Sequence, residues 1–247
     1  MSINWFKFSS PATFYPLAGK LIPIFGVLTA LIGIFGLYWG FFQTPDVLTD
    51  QKQYYRIIFI HVPAAWMSMW LYVIVVAWSL IGLIFNARLA YMIAAAVAPT
   101  GAIMTVLALF TGAVWGKTSW GTWWDWDPRM TSELILLFIY VGYMALRSAI
   151  EDNRRSDRAS AVLALVGLVC IPVIFWSVNC PDPNQCAALH QSSSMSGIES
   201  NILFAMLTMT VSFWMYCFLV PLMRARNIIL EREHDTAWVT EMLEVKK

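Results

Sequence analysis

Five of the thirteen tryptophans, Trp115, Trp120, Trp123, Trp124 and Trp126, stand in one run, WGKTSWGTWWDWD, together with Asp125 and Asp127. An indole offers a broad flat face and one N–H donor, so it settles at a membrane–water boundary and also stacks on flat aromatic ligands. A boundary belt spreads its aromatics over several helix ends. Here they crowd one segment beside Gly and acidic residues, which fits a planar ligand better. Of the three histidines, His61 precedes this segment and His190 follows it. Either alone reads as an ordinary interfacial polar residue. Taken with the tryptophans, two neutral imidazoles approaching from opposite sides are the usual grip on the iron of a haem, whose macrocycle would lie against indole faces. His234 falls in a charged C-terminal stretch and reads as solvated.

The two propionates of a haem call for cations beside the flat pocket, and Arg56, Lys117 and Arg129 are available. Arg56 could simply anchor the apolar run it precedes, but it stands five residues from His61, and a propionate role is the slightly better reading. Arg129 has two readings of equal weight. Asp127-Pro128 looks like an N-cap followed by Pro at the first helical position, with Arg129 four residues before Glu133 on one helix face. Asp125 and Asp127 read first as loop-ordering and helix-capping groups and second as acceptors for indole N–H. Neither makes a convincing catalytic carboxylate.

Composition defines the elements that must position these residues. With 59% hydrophobic and 13% charged residues in 247 and a mean hydropathy of +0.64, the chain is an integral membrane protein and not a soluble domain. Continuously apolar stretches fall at residues 21–42, 63–85, 91–114, 128–149, 159–178 and 202–222, each near the roughly 20 residues a helical span needs. They lack period-two alternation, which excludes barrel strands. The expected fold is all-α, one polytopic domain over residues 1–247 with six transmembrane helices and a Trp-rich outer loop, residues 115–127, between the third and fourth. No signal-peptide pattern is visible; Lys7 and Lys20 precede a first span long enough to remain as an anchor. With the N-terminus in the cytoplasm, only Lys52, Arg56, Lys117 and Arg129 of the 16 basic residues fall outside, so both termini are expected inside. The Trp segment and the loops at 43–56 and 179–201 then share the outer face. His61 is expected at the outer mouth of the second span, where Pro63 suits the first turn of a helix.

The runs WGTWWDWDPRMTSELILLFIY and RIIFIHVPAAWMSMW, the segment Ala98-Pro99-Thr100-Gly101 and a late loop His resemble the cytochrome c maturation protein C family. This is the six-span branch of the WWD-domain haem-handling proteins. The resemblance covers nearly the whole chain in length, span count and order of motifs, and its Trp-rich run is highly specific. It implies that Trp115, Gly116, Trp120, Gly121, Trp123, Trp124, Asp125, Trp126 and Asp127 form the haem-binding segment. It assigns His61 and His190 as axial ligands and Arg56 and Arg129 as haem contacts. It further implies a bacterial inner-membrane protein that presents haem on the periplasmic face to a periplasmic haem chaperone, which captures it covalently. The implied partners are an ATP-binding cassette pair, ATPase and membrane subunit, and a small membrane subunit. No C-x-x-C-H occurs, so haem b would be held without thioether bonds and transiently.

The expected role is recognition and transfer, with no side-chain nucleophile making bonds; lyase-like assistance at the chaperone is a further option. Two alternatives belong to other classes. A b-type electron-transfer cytochrome would bury histidine pairs inside facing helices, and the spans hold no such pair. A permease would carry ionisable groups at mid-membrane depth, and almost none are seen. Gly112 to Thr118 imitates a phosphate-binding loop but is one residue short of the pattern. Cys180 and Cys186, in CPDPNQC just before His190, are either a short disulfide stiffening that loop or two thiols. Cys170 and Cys217 read as apolar packing residues, as do Gly36, Gly40 and residues 94–98 as close-approach positions, with Pro99 a kink.

Overall fold

The computed structural model describes residues 8–45, 53–179 and 198–244. No strand occurs among the described residues, and six helical stretches are long and apolar enough to cross a membrane. Helix α1 (Pro11–Tyr38) runs on through a π-helical turn, Trp39–Gln43, and a 3₁₀ turn, Tyr54–Ile57, leads into α2 (Ile58–Phe85). Then come α3 (Arg88–Trp120), α4 (Pro128–Ala149), α5 (Asn153–Gly167) and α6 (Cys170–Asn179), which together form the fifth span, α7 (Ser200–Arg232) and the short α8 (Ala237–Glu244).

The spans come in the expected order, but the helices outrun the apolar stretches. At 1.5 Å per residue, the 33 residues of α3 extend about 50 Å, against a hydrocarbon slab of about 30 Å. Hydropathy marks only the part inside the slab, because a helix satisfies its own backbone with or without lipid. The third span therefore does not stop at residue 114. Trp115, Gly116 and Trp120 lie on helix, and only the rest of the Trp-rich segment is a connection. Likewise α2 begins at Ile58, so Pro63 is inside the helix and not in its first turn.

Only Asn86, in the left-handed region at φ 49°, and Ala87 join α2 to α3, so the two run antiparallel and pack along their length. This brings the start of α2 and the end of α3 to one end of the bundle. The core lies among α2, α3, α4 and α5, with Met67, Leu71, Tyr72, Ala94, Ala98, Leu136, Tyr140 and Ala164 all buried. Small residues on α3 let the neighbours approach closely. A Cβ on Gly101 would fall on the Tyr140 phenol. With no water in the slab, each phenol needs an internal acceptor: Tyr140 donates to the Ser68 carbonyl at 3.0 Å and Tyr72 to the Ala164 carbonyl at 2.7 Å.

The fifth span is interrupted after Gly167, where a continuous helix was expected. Pro172 has no N–H for the Leu168 carbonyl and its ring crowds that carbonyl. The Leu168 N–H turns to Leu165 O at 3.2 Å, while the Tyr72 hydroxyl takes the Ala164 carbonyl. On the other side, α1 packs on α7 through close-approach glycines: a Cβ on Gly33 would lie 2.8 Å from Ser212 Oγ, and one on Gly36 2.8 Å from Met209 Sδ. Cys170 and Cys217 are buried, free and packed in the core.

The two ends of the bundle are tied differently. At one, buried Asp157 accepts from Arg147 Nη1 at 2.6 Å and Arg232 Nη1 at 2.8 Å, and Arg158 donates to Asn86 Oδ1 at 2.9 Å. At the other, the Tyr55 hydroxyl lies 2.8 Å from Thr44 Oγ1 and Arg56 Nη2 donates to the Thr44 carbonyl at 3.3 Å, locking the end of α1 to the start of α2. The Trp-rich segment is at this second end.

Candidate functional site: an indole-lined cleft beside a buried imidazole

The site is built on the last three turns of α3. Gly112, Gly116 and Trp120 recur at intervals of four and share one helix face, with Thr111 and Trp115 on the adjoining strip. The two glycines leave a trough. A Cβ on Gly112 would come within 3.0 Å of His61 Cε1, and one on Gly116 within 3.2 Å of the Thr122 carbonyl. Gly121, at φ 79°, ends the helix in the left-handed conformation that glycine adopts without strain. Lys117 Nζ donates to the Gly121 carbonyl at 3.0 Å, so this lysine, one of the three propionate candidates by sequence, serves the helix end.

Beyond Gly121 the chain folds back over the trough. The Thr122 hydroxyl donates to the Trp124 carbonyl at 2.8 Å and accepts from its N–H at 3.3 Å, while the Trp124 and Trp126 rings meet edge to face at 5.5 Å. Asp127 then caps α4: its Oδ1 accepts from Met130 N at 2.6 Å, and Pro128 is the first helical residue, as expected. The result is a shallow cleft, about 240 Å³ with open solvent included, lined by Gly112, Gly116, Trp120, Thr122, Trp123, Trp124, Asp125, Asp127, Arg129 and Met130.

Several lining groups are poorly satisfied by the protein itself. Trp124 Nε1, Arg129 Nε and Asp127 Oδ2 are buried without a hydrogen-bond partner, and the Asp127–Arg129 ion pair is long, with Oδ2 3.7 Å from Nη2. Each such group costs about 1–3 kcal/mol until something accepts or donates to it. Trp123, a lining residue, is 58% exposed, whereas Trp126 is not among the lining residues; it is 74% exposed and meets the Trp124 ring. A trough that a single methyl would narrow, flat indole walls and spare donors fit a planar ligand with acidic substituents. The cleft is open to solvent, so the described residues form one wall rather than an enclosed pocket.

His61 does not stand at an exposed mouth; it is only 7% exposed, pressed between α2 and α3. Its Nδ1 lies 2.9 Å from Thr111 Oγ1, and its ring meets Trp115 edge to face at 5.7 Å and 85°. The helix α2 starts earlier than hydropathy suggests, which carries His61 one turn into the bundle. The cleft thus brings together Trp120, Trp123, Trp124, Asp125, Asp127 and Arg129, with His61 and Trp115 adjoining through Thr111 and Gly112. Arg56 is not among the lining residues; it bonds Thr44 and lies 5.7 Å from the centre of the Tyr55 ring. His190, Cys180 and Cys186 lie outside the described residues.

Thr111, Gly112, Thr122 and Met130 belong to the site without having been singled out as contacts. Periodicity along α3 links Gly112 to Trp120, but the link to His61 depends on the register between α2 and α3. Buried Glu133, one turn below Arg129 on α4, joins Asp125 and Asp127 as a carboxylate near its guanidinium. Among the described residues, no three His, Cys, Asp or Glu converge as a bare metal ion would require.

Fold and site define a class: a multi-pass α-helical membrane protein whose third helix ends in an indole-lined cleft beside a buried imidazole. The chain matches the family described as Heme exporter protein C over residues 4–240, and it belongs to that family. It is 39% identical over 235 residues to Heme exporter protein C of Escherichia coli K12, covering 94% of each chain. It is 33% identical over 245 residues to that of Haemophilus influenzae, covering 97% of each. Against the Rhodobacter capsulatus protein of the same name, identity is 42% over 195 residues, covering 77% of this chain and 76% of the other. The resemblance carried by the Trp-rich run is borne out.

Proposed function

We propose that the protein binds haem at the outer surface of a bacterial inner membrane and delivers it to a periplasmic haem chaperone for c-type cytochrome biogenesis. The observation that carries this reading is the pairing of an immobilised imidazole, His61 on Thr111 and Trp115, with the adjoining trough of indoles. The name of its relatives, Heme exporter protein C, supports the same ligand. Haem b is held without covalent bonds, its ring against Trp120, Trp123, Trp124 and Trp126, its iron between His61 and His190, and its propionates near Arg56 or Arg129. The whole chain acts as one polytopic domain with both termini in the cytoplasm.

Exchange, and not bond-making, is the chemistry these residues serve. A cleft that covers only part of the macrocycle leaves an edge exposed for an acceptor. One ligand sits on a span and the other falls, by sequence position, between the fifth and sixth spans, so the second ligand can leave first. An ATP-binding cassette pair and a small membrane subunit are the partners that the family resemblance implies. A b-type electron-transfer cytochrome is disfavoured because, among the described residues, His61 is the only histidine within a span.

The test is the visible spectrum of the detergent-purified protein against His61→Ala and His190→Ala, in cells that also make the acceptor. A six-coordinate, non-covalent haem spectrum altered in both variants supports the reading. Haem binding indifferent to both substitutions removes the ligand assignment, and the absence of any haem returns the cleft to a protein-docking surface or an aromatic belt.

A further inference from the structure

Thr111 is buried in α3, and three acceptor-capable atoms surround its hydroxyl. Oγ1 lies 2.6 Å from the Leu107 carbonyl, 3.3 Å from the Ala108 carbonyl and 2.9 Å from His61 Nδ1. A hydroxyl has one hydrogen to give, and a carbonyl has none. The short contact to Leu107 takes that hydrogen, in the back-bonded geometry common to Thr within helices. The contact to His61 must then run the other way, with Nδ1–H donating to a lone pair on Thr111 Oγ1. A neutral imidazole carries one N–H, so the lone pair is left on Nε2.

The ring is also held in orientation. Trp115 meets it edge to face, and the edge from Nδ1 through Cε1 to Nε2 lies along Gly112, a residue of the cleft wall. Thr111, Gly112 and Trp115 come from neighbouring positions on α3, so one helical surface meets both the Nδ1 atom and the plane of His61.

We propose that Thr111 is a positioning residue: it holds His61 as the Nδ1–H tautomer, presenting Nε2 as the electron pair donated to the haem iron. This rests on the assignment of His61 as a haem ligand. It makes Thr111 the counterpart of the carbonyls and carboxylates that orient metal-bound histidines elsewhere, whose loss usually weakens binding by roughly 10–100-fold.

The experiment begins without haem. Full-length protein labelled with ring ¹⁵N histidine is measured by NMR at a pH where the imidazoles are neutral, and the His61 signals are assigned by their loss in His61→Ala. The wild type is expected as the Nδ1–H tautomer. Thr111→Val, which replaces the hydroxyl by a methyl of similar shape, should move the ring toward Nε2–H, and Thr111→Ser should restore the wild-type pattern. Haem titration should then show binding weakened about 10–100-fold in Thr111→Val and restored in Thr111→Ser. A wild-type ring that is mainly Nε2–H overturns the proposal even if Thr111→Val fails to fold. So does a folded Thr111→Val with unchanged tautomer and affinity. Haem binding indifferent to His61→Ala overturns the haem reading instead, which the haem-free spectra distinguish.

Discussion

Replacing Gly112 by Ala puts one methyl group where the trough of α3 meets the His61 ring. The new Cβ would lie 3.0 Å from Cε1, 3.6 Å from Nδ1 and 3.9 Å from Nε2, whereas carbon pairs rest comfortably at about 3.5–4.0 Å. His61 cannot retreat freely, since Thr111 holds its Nδ1 and Trp115 its edge. The ring must tilt or α2 and α3 must part by roughly half an ångström. Within α3 itself the change is favourable, Ala being better than Gly in a helix interior by about 0.8–1.0 kcal/mol. That gain offsets much of the packing strain, so unfolding stability should move by no more than about 1 kcal/mol in either direction. Ligand binding has no such compensation. A displaced axial imidazole should weaken haem by roughly 10–100-fold, or about 1.4–2.7 kcal/mol. The assay is a haem titration followed by Soret absorbance, run beside thermal unfolding in the same detergent. Gly101→Ala is the contrasting variant: its Cβ would fall on the buried Tyr140 phenol, so stability should drop by about 1–3 kcal/mol while the folded fraction binds haem normally. Wild-type affinity and spectrum in a folded Gly112→Ala would refute the placement of His61 against this trough.

Three further outcomes follow from the same geometry. Trp123→Ala and Trp126→Ala remove the most exposed indoles of the Trp-rich segment, so stability should stay within about 0.5 kcal/mol while haem affinity falls roughly three- to tenfold from lost stacking; equal affinity in both would remove these rings from the site. Asp127→Ala should cost about 1 kcal/mol of stability through loss of the α4 cap, and Asp127→Asn, which keeps the acceptor for Met130 N, should recover most of it in chemical denaturation. Glu199 accepts from the N–H groups of Asn201 and Ile202 at the start of α7, and these bonds, that of Asn201 foremost, hold its carboxyl below the usual carboxylate range. A lowered folded value means the cap is intact above the unfolded carboxylate value and is lost as pH falls through the folded one. Amide exchange at Asn201 and Ile202, corrected for intrinsic rate, should therefore quicken on acidification and lose this dependence in Glu199→Gln.

Much of the molecule was legible in the linear chain because its signals are local. Six apolar runs became six helical spans since a bilayer admits little else, and Asp127-Pro128 became the cap of α4 because an N-cap needs only its own next turn. Helix ends were less legible. Hydropathy falls away at Val114, yet α3 continues to Trp120, and no feature of the apolar pattern reports a helix that projects from the slab. The break after Gly167 depends jointly on Pro172 and on a phenol from another helix, Tyr72.

The sequence alone determined the membrane architecture, the crowding of tryptophans beside two carboxylates, and the family. Those are properties of composition and short-range order. Only the tertiary structure decided that the bonds of Lys117 and Arg56 serve helix ends, that Arg129 lies among carboxylates at the cleft wall, and that His61 rests on Thr111 fifty residues away. Hydrogen bonds and ring contacts between helices depend on rotation and register, and these are set by side-chain packing across the whole interface of α2 with α3.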